Sequence, residues 1–241
     1  MIREILIENI YDILKLSRSN IQRIELNSCL YLGGLTPSIG KIRKALDLSN
    51  IPIAIMIRPR AGGFIYSELE IEEMKRDILE IGKLNVEAFV FGILDEDLSL
   101  SDKNKELIDL CHNLGKKAVL SRAFDNTISL RKSIEKVNSF KFDRILTSGF
   151  KENAIDSLEK LKYIRDKINK NIGVVAASGI SDKNICIISE KTGISEFHAS
   201  LKKERFEKSN FVNVDFSYLE NKDMIYELDE KKLERFIGVK K

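Results

Sequence analysis

The sequence predicts a (β/α)8 barrel formed as a single domain over residues 1–241. Three observations carry that expectation. Short apolar runs alternate with longer amphipathic stretches along the whole chain. A strand followed by a single helix, repeated, requires a parallel sheet. Eight such units in 241 residues leave about thirty residues each, the size of one barrel repeat. An open doubly wound sheet has the same local signature and stays the alternative on pattern alone.

The elements follow in order. Strands are expected over residues 2–7, 21–26, 51–57, 86–91, 117–121, 142–146, 172–176 and 194–198, each rich in Ile, Val, Leu, Phe or Ala. Helices are expected over 67–81, 102–114, 129–137, 151–168 and 181–191. Their apolar positions recur at steps of three and four, as in Leu69, Met74 and Ile78 or Leu107, Leu110 and Leu114. Gly82, Gly115 and Gly173 stand where left-handed helix caps are expected, and Thr36-Pro37 reads as an N-cap with the first helical residue. Residues 201–241 begin with a charged run, pass through residues 211–216 and end in a helix near 229–236, which is expected to close the barrel. The basic stretch Lys202-Lys203 with Arg205 reads as a solvated helix face.

Composition narrows the function. Hydrophobic residues make up 43% and charged residues 32%, but 40 basic against 37 acidic side chains leave a net charge of +3, too balanced to argue for nucleic acid or a membrane surface. The charged N-terminal stretch excludes a signal-peptide core, and no apolar run is long enough to span a bilayer. Three dispersed cysteines (Cys29, Cys111, Cys186) imply no disulfide framework, and a cytoplasmic location is expected. No metal-ligand spacing, dinucleotide fingerprint or P-loop occurs.

In such a barrel the strand C-termini build the site. The first strand brings Glu4 and Glu8, and the second Glu25, then Asn27, Ser28 and Cys29. The third surfaces as "IMIRPRAGGFIYSELE", where Pro59 and Gly62-Gly63 are expected to hold Arg58 and Arg60 at the barrel mouth. The fifth ends in Ser121, Arg122 and Asp125, the sixth in Thr147-Ser148-Gly149, the seventh in Ala177-Ser178-Gly179 and the eighth in Glu196, His198 and Ser200. Arg58, Arg60, Thr147, Ser148 and Ser178 are the expected anion cradle, because guanidinium forks and hydroxyls match phosphate or carboxylate. Glu25, Arg122, Asp125 and His198 are the expected proton-transfer set, since a carboxylate in an apolar strand tends to a raised pKa. A structural ion pair of Glu25 with Arg58 or Arg122 is the plain alternative. His112 and Cys186 read as structural. Ser67 with Glu70 has capping-box spacing.

Several segments together resemble the CutC family, the copper homeostasis proteins. They are "RIEL" with "LGGLTPSIGKIRKA", the "IPIAIMIRPRAGGFIYSELEIEEMKRDI" block, "FVFGIL", "RAFD", "RILTSG" and "EFHAS", strongest over residues 20–200. The resemblance implies a TIM-type barrel, a cytoplasmic location and a role in copper handling. This sequence departs from the family pattern at Asn27, where a Cys usually follows R-I-E-L, at Ser121, where a His usually stands, and at Ala177-Ser178-Gly179 in place of a glycine run. Copper(I) favours soft ligands, so Cys29 is the candidate metal ligand. Two functions remain in play: a copper-associated binding protein, and a barrel enzyme acting on a small phosphorylated or carboxylated substrate at the C-terminal rim. The expected partners are a small anionic ligand or a metal ion, within a homo-oligomer.

Overall fold

The computed structural model describes residues 1–206 and 224–239. Eight parallel strands close into a barrel: β1 (Ile2–Ile7), β2 (Arg23–Leu26), β3 (Ile53–Met56), β4 (Ala88–Phe91), β5 (Lys117–Leu120), β6 (Arg144–Thr147), β7 (Gly173–Ala177) and β8 (Glu196–Ala199), with β8 pairing back onto β1. The intervening helices are α1 (Asp12–Leu16), α2 (Ile39–Leu48), α3 (Glu68–Gly82), α4 (Asn104–Asn113), α5 (Leu130–Phe140), α6 (Leu158–Lys167) and α7 (Ile185–Thr192). An antiparallel pair, β9 (Lys202–Phe206) and β10 (Met224–Leu228), precedes α8 (Glu230–Gly238). The fold is thus the single TIM-type barrel expected, and α8 docks Leu233 and Phe236 into the core.

Period two along each strand divides the burial. One face packs Ile5, Ile24, Ile55, Phe89, Ile145 and Phe197 against the helices. The other fills the barrel lumen, apolar over β3 to β7 with Ala54, Met56, Val90, Val119, Leu146 and Val175. The register places Glu4 beside both Arg23 and His198, and Glu25 beside Ala54, so the β8-β1-β2 side of the lumen is charged.

Several local expectations are corrected. Ser38, not Thr36, caps α2 by accepting from the Lys41 N–H, because the Thr36 hydroxyl is occupied by the Arg58 N–H at 2.9 Å. Gly115 is left-handed as expected (φ +69°), whereas Gly82 and Gly173 are not. They are small for another reason. A Cβ on Gly82 would lie 2.7 Å from Leu114, and one on Gly173 3.0 Å from both Arg144 and Glu196. The helix expected over 151–168 starts only at Leu158, after a 3-10 turn at Ala154–Ser157. Lys202, Lys203 and Arg205 lie on β9 rather than on a helix face. The passage expected at residues 211–216 lies outside the described residues. The Ser67–Glu70 capping box is formed as expected.

Candidate functional site

The lower lumen is held by matched charges. Arg23 donates from Nε to Glu4 at 2.8 Å and from Nη2 to Glu196 at 2.7 Å. Arg144 meets Glu87 through two hydrogen bonds of 2.9 and 2.7 Å, and Lys117 adds a third cationic contact at 3.0 Å.

One layer above, β1, β2 and β8 bring Glu4, Glu25 and His198 together. His198 Nδ1 lies 2.8 Å from Glu4 Oε1 and 3.7 Å from Glu25 Oε2. One ligand atom from each of the three residues falls within 4.8 Å of the others, so the group could hold a metal ion. All three are buried. Burial would raise the Glu4 carboxyl, but the hydrogen bond and charge of His198, with Arg23 and Arg144, hold it down at about 2. Glu25 moves the other way, to about 7. Burial is the main cause, the Glu4 charge adds to it, and His198 and Asn27 oppose it. For His198, burial disfavours the imidazolium, yet the charges of Glu25 and Glu4 prevail and raise its pKa.

Glu25 and His198 look into a cleft of about 440 Å3 at the barrel mouth, lined also by Asn27, Met56, Arg58, Arg122 and Ser178. Two acceptors of this layer, Glu25 Oε2 and Asn27 Oδ1, are buried without a hydrogen-bond partner. Glu25 pairs with neither Arg58 nor Arg122; its charged neighbours are His198 and Glu4.

Arg58 lines the cleft, but its two Nη groups donate to the carbonyls of Leu32, Gly34 and Gly62, and its guanidinium lies 5.2 Å from the centre of the Phe64 ring. It therefore fastens two mouth loops together. Arg60, expected in the anion cradle, is outside the cleft lining: it is tied to Glu70 and to the carbonyl of Ile65. Those two roles explain the Arg-Pro-Arg and the glycines at the exit of β3. Thr147 and Ser148 also stand outside the lining, because both hydroxyls are hydrogen bonded to Asp125. Asp125 accepts as well from the N–H groups of Ser148 and Phe150, so it is a loop organiser that also holds Arg122 Nε at 3.0 Å. Ser178 does reach the cleft, with its hydroxyl donated to the Glu152 carbonyl. Cys29, half-buried, belongs to a neighbouring groove with Thr36, Glu73 and Asp77, and its backbone N–H is bound by Glu8. His112 pairs with Asp143 at 3.0 Å.

Of the expected proton-transfer set, then, Glu25, Arg122 and His198 converge on one cleft, while Asp125 stands behind Arg122. Sequence reading placed Glu4 and Asn27 at the strand ends but gave neither a role in the site. The period-two alternation of Glu4 with the outward-packed Ile5 on β1 was the available signal for Glu4, but its meeting with His198 depends on the closure of β8 onto β1.

The sequence profile of the CutC family matches residues 1–203. A CutC family protein of Vibrio cholerae is 36% identical over 210 residues, covering 87% of this chain and 83% of that protein. The copper homeostasis protein cutC homolog of Mus musculus is 35% identical over 212 residues, covering 87% of this chain and 77% of its own. The crystal structure of a copper homeostasis protein CutC from Streptococcus agalactiae superposes with a TM-score of 0.78 at 32% identity, over 83% of this chain and 98% of that one. The chain belongs to the CutC family.

Proposed function

We propose that this CutC-family chain handles copper as a bound ion at Glu4, Glu25 and His198, in the copper-associated role carried in the names of the Mus musculus and Streptococcus agalactiae proteins. The observation that carries the reading is the buried, unpartnered Glu25 Oε2, set 3.7 Å from His198 Nδ1 in a group whose ligand atoms lie within 4.8 Å. Two carboxylates and an imidazole are harder donors than thiolates, and they suit the divalent state of copper better than the monovalent one. Cys29 lies in another groove, and Met56 is the one sulfur-bearing residue in the cleft lining among the described residues.

The chain's own part in loading is electrostatic. His198, with Arg23 behind it, keeps Glu4 ionised, and Glu25 stands on the other side of His198 Nδ1. Binding must displace the protons held by His198 and Glu25, so affinity should rise with pH. The three dispersed cysteines fit the reducing, cytoplasmic setting of this reading.

The test is titration of chelator-stripped protein with Cu(II), followed by electron paramagnetic resonance and by competition with a chelator. Glu25→Gln and His198→Ala should each weaken binding tenfold or more, and Cys29→Ala should leave it unchanged. Loss of binding in Cys29→Ala but not in Glu25→Gln would transfer the site to the thiol and overturn the assignment.

A further inference from the structure

The cleft above the Glu4–Glu25–His198 layer has chemistry that a metal ion alone does not use. Among the described residues its lining contains three permanent cations, Arg58, Arg122 and Lys202, and one acid, Glu25. Arg122 is set in place rather than free: Asp125 holds its Nε at 3.0 Å and Ser148 accepts from Nη2 at 2.8 Å. Its Nη1 has no hydrogen-bond partner among the described residues, and its side chain is 40% exposed. Lys202 comes from β9, one residue before the end of the family match, and its ammonium stands 3.5 Å from the centre of the Tyr226 ring on β10. Arg58 adds a fixed positive charge in the wall, 7% exposed and with Nε unpartnered. Met56, Leu146 and Ile180 are apolar parts of the same lining. At the base, Glu25 Oε2 and Asn27 Oδ1 wait for donors.

We infer that this cleft binds a small hydroxylated organic anion, its acid group held between Arg122 and Lys202 and its hydroxyl group turned down toward Asn27 and Glu25. A cleft with one sign of charge and low-dielectric walls concentrates ligands of the opposite sign. A guanidinium fork matches a carboxylate or phosphate group in geometry as well as charge. Buried acceptors without a partner favour a ligand that brings O–H or N–H groups, because leaving them unpaired is costly. The volume, about 440 Å3, is within the ordinary range for a small-molecule site. Lys202 then sets specificity through a hairpin that the family match scarcely reaches. The groups that hold the acid, Arg122 and Lys202, are not among the three proposed metal-holding residues; Glu25 alone is shared, through the ligand's hydroxyl group.

The test keeps the two apart by using full-length protein in excess EDTA. Thermal shift and calorimetry are run with glycerol 3-phosphate, malate, neutral glycerol and sodium chloride at matched ionic strength. One or both organic anions should raise the melting temperature above the chloride control, and glycerol should not. Lys202→Glu, at a half-buried position on β9, should weaken the anion tenfold or more. Arg122→Gln, checked for an unchanged circular dichroism spectrum, should do the same. Phosphate and carboxylate preference is read directly from the two anion arms. No stabilisation by either anion beyond chloride, or equal affinity in wild type and Lys202→Glu, would overturn the inference. Glu25→Gln should lose copper binding and keep the anion with only its hydroxyl contact weakened; loss of the anion as complete as in Lys202→Glu would overturn the placement of its acid group between Arg122 and Lys202.

Discussion

The floor and the mouth of the barrel lumen are both polar, but they are polar in opposite ways. At the floor, Glu4, Glu196 and Glu87 each receive a guanidinium hydrogen bond within 2.9 Å. At the mouth, Glu25 Oε2 and Asn27 Oδ1 are buried and meet no donor. A buried charge with a well-formed partner belongs to the fold, since breaking it strands the other charge. A buried acceptor without a partner is a standing cost that the rest of the fold must offset, and ligand binding relieves it. Glu4 joins the two regions, held from below by Arg23 and from above by His198.

The largest effect should come from breaking the floor. Arg23→Met removes the partner of both Glu4 and Glu196 and should cost about 3–5 kcal/mol in urea unfolding. Glu25→Leu removes an acid that has no matched partner and should be neutral or stabilising in the same assay. Equal losses in the two variants would erase the distinction between floor and mouth.

The pH dependence separates the regions next. Glu25 has a folded pKa of about 7 against an ordinary 4.5, so its contribution to stability is intact below about 4.5 and disappears as pH rises through 7. Glu4, held at about 2, acts in the other sense: its contribution is present above 4.5 and is lost as pH falls toward 2. In the presence of a chelator, wild type should therefore lose stability relative to Glu25→Gln between pH 4.5 and 7, by about 3.5 kcal/mol at most at about 1.4 kcal/mol per pH unit. Parallel stability curves for the two proteins over that range would show that Glu25 is not the titrating group.

This contrast also explains how far the sequence could be read. The eight strands and the Ser67–Glu70 box depend on local period and spacing, and the chain displays both directly. Thr36 misled because its hydroxyl is taken by the backbone of Arg58, 22 residues away. Arg60 misled for a related reason: sequence shows that a guanidinium is present, but not that Glu70 and a backbone carbonyl already occupy its donors. Glu25, Arg122 and His198 were legible as charges at the ends of apolar strands. The Glu4–His198 contact spans 194 residues and exists only because the last barrel strand pairs with the first. Lys202 was read as part of a helix because its alternation is too short to separate from a charged run. Its place in the cleft follows from the antiparallel pairing with β10.

The smallest expected effect tests how the mouth keeps Asn27 in position. Gly34 has φ +86°, and a Cβ there would come within 2.4 Å of Asn27 Nδ2. Gly62 has a similar φ of +93°, but a Cβ there would meet only Arg60, at 3.5 Å. Alanine at either position takes on left-handed backbone strain of about 1–2 kcal/mol. Only Gly34→Ala also crowds the Asn27 amide, which hydrogen bonds to Glu25. The two variants should therefore lose similar amounts of stability to the backbone, with Gly34→Ala lower by a further fraction of that loss. Copper affinity should fall in Gly34→Ala alone, because Asn27 and Glu25 share the β2 exit. Matching stability and matching copper affinity in the two alanine variants would mean that Asn27 moves without consequence, and the mouth would then owe its shape to Arg58 and the loops it ties rather than to the Asn27–Gly34 contact.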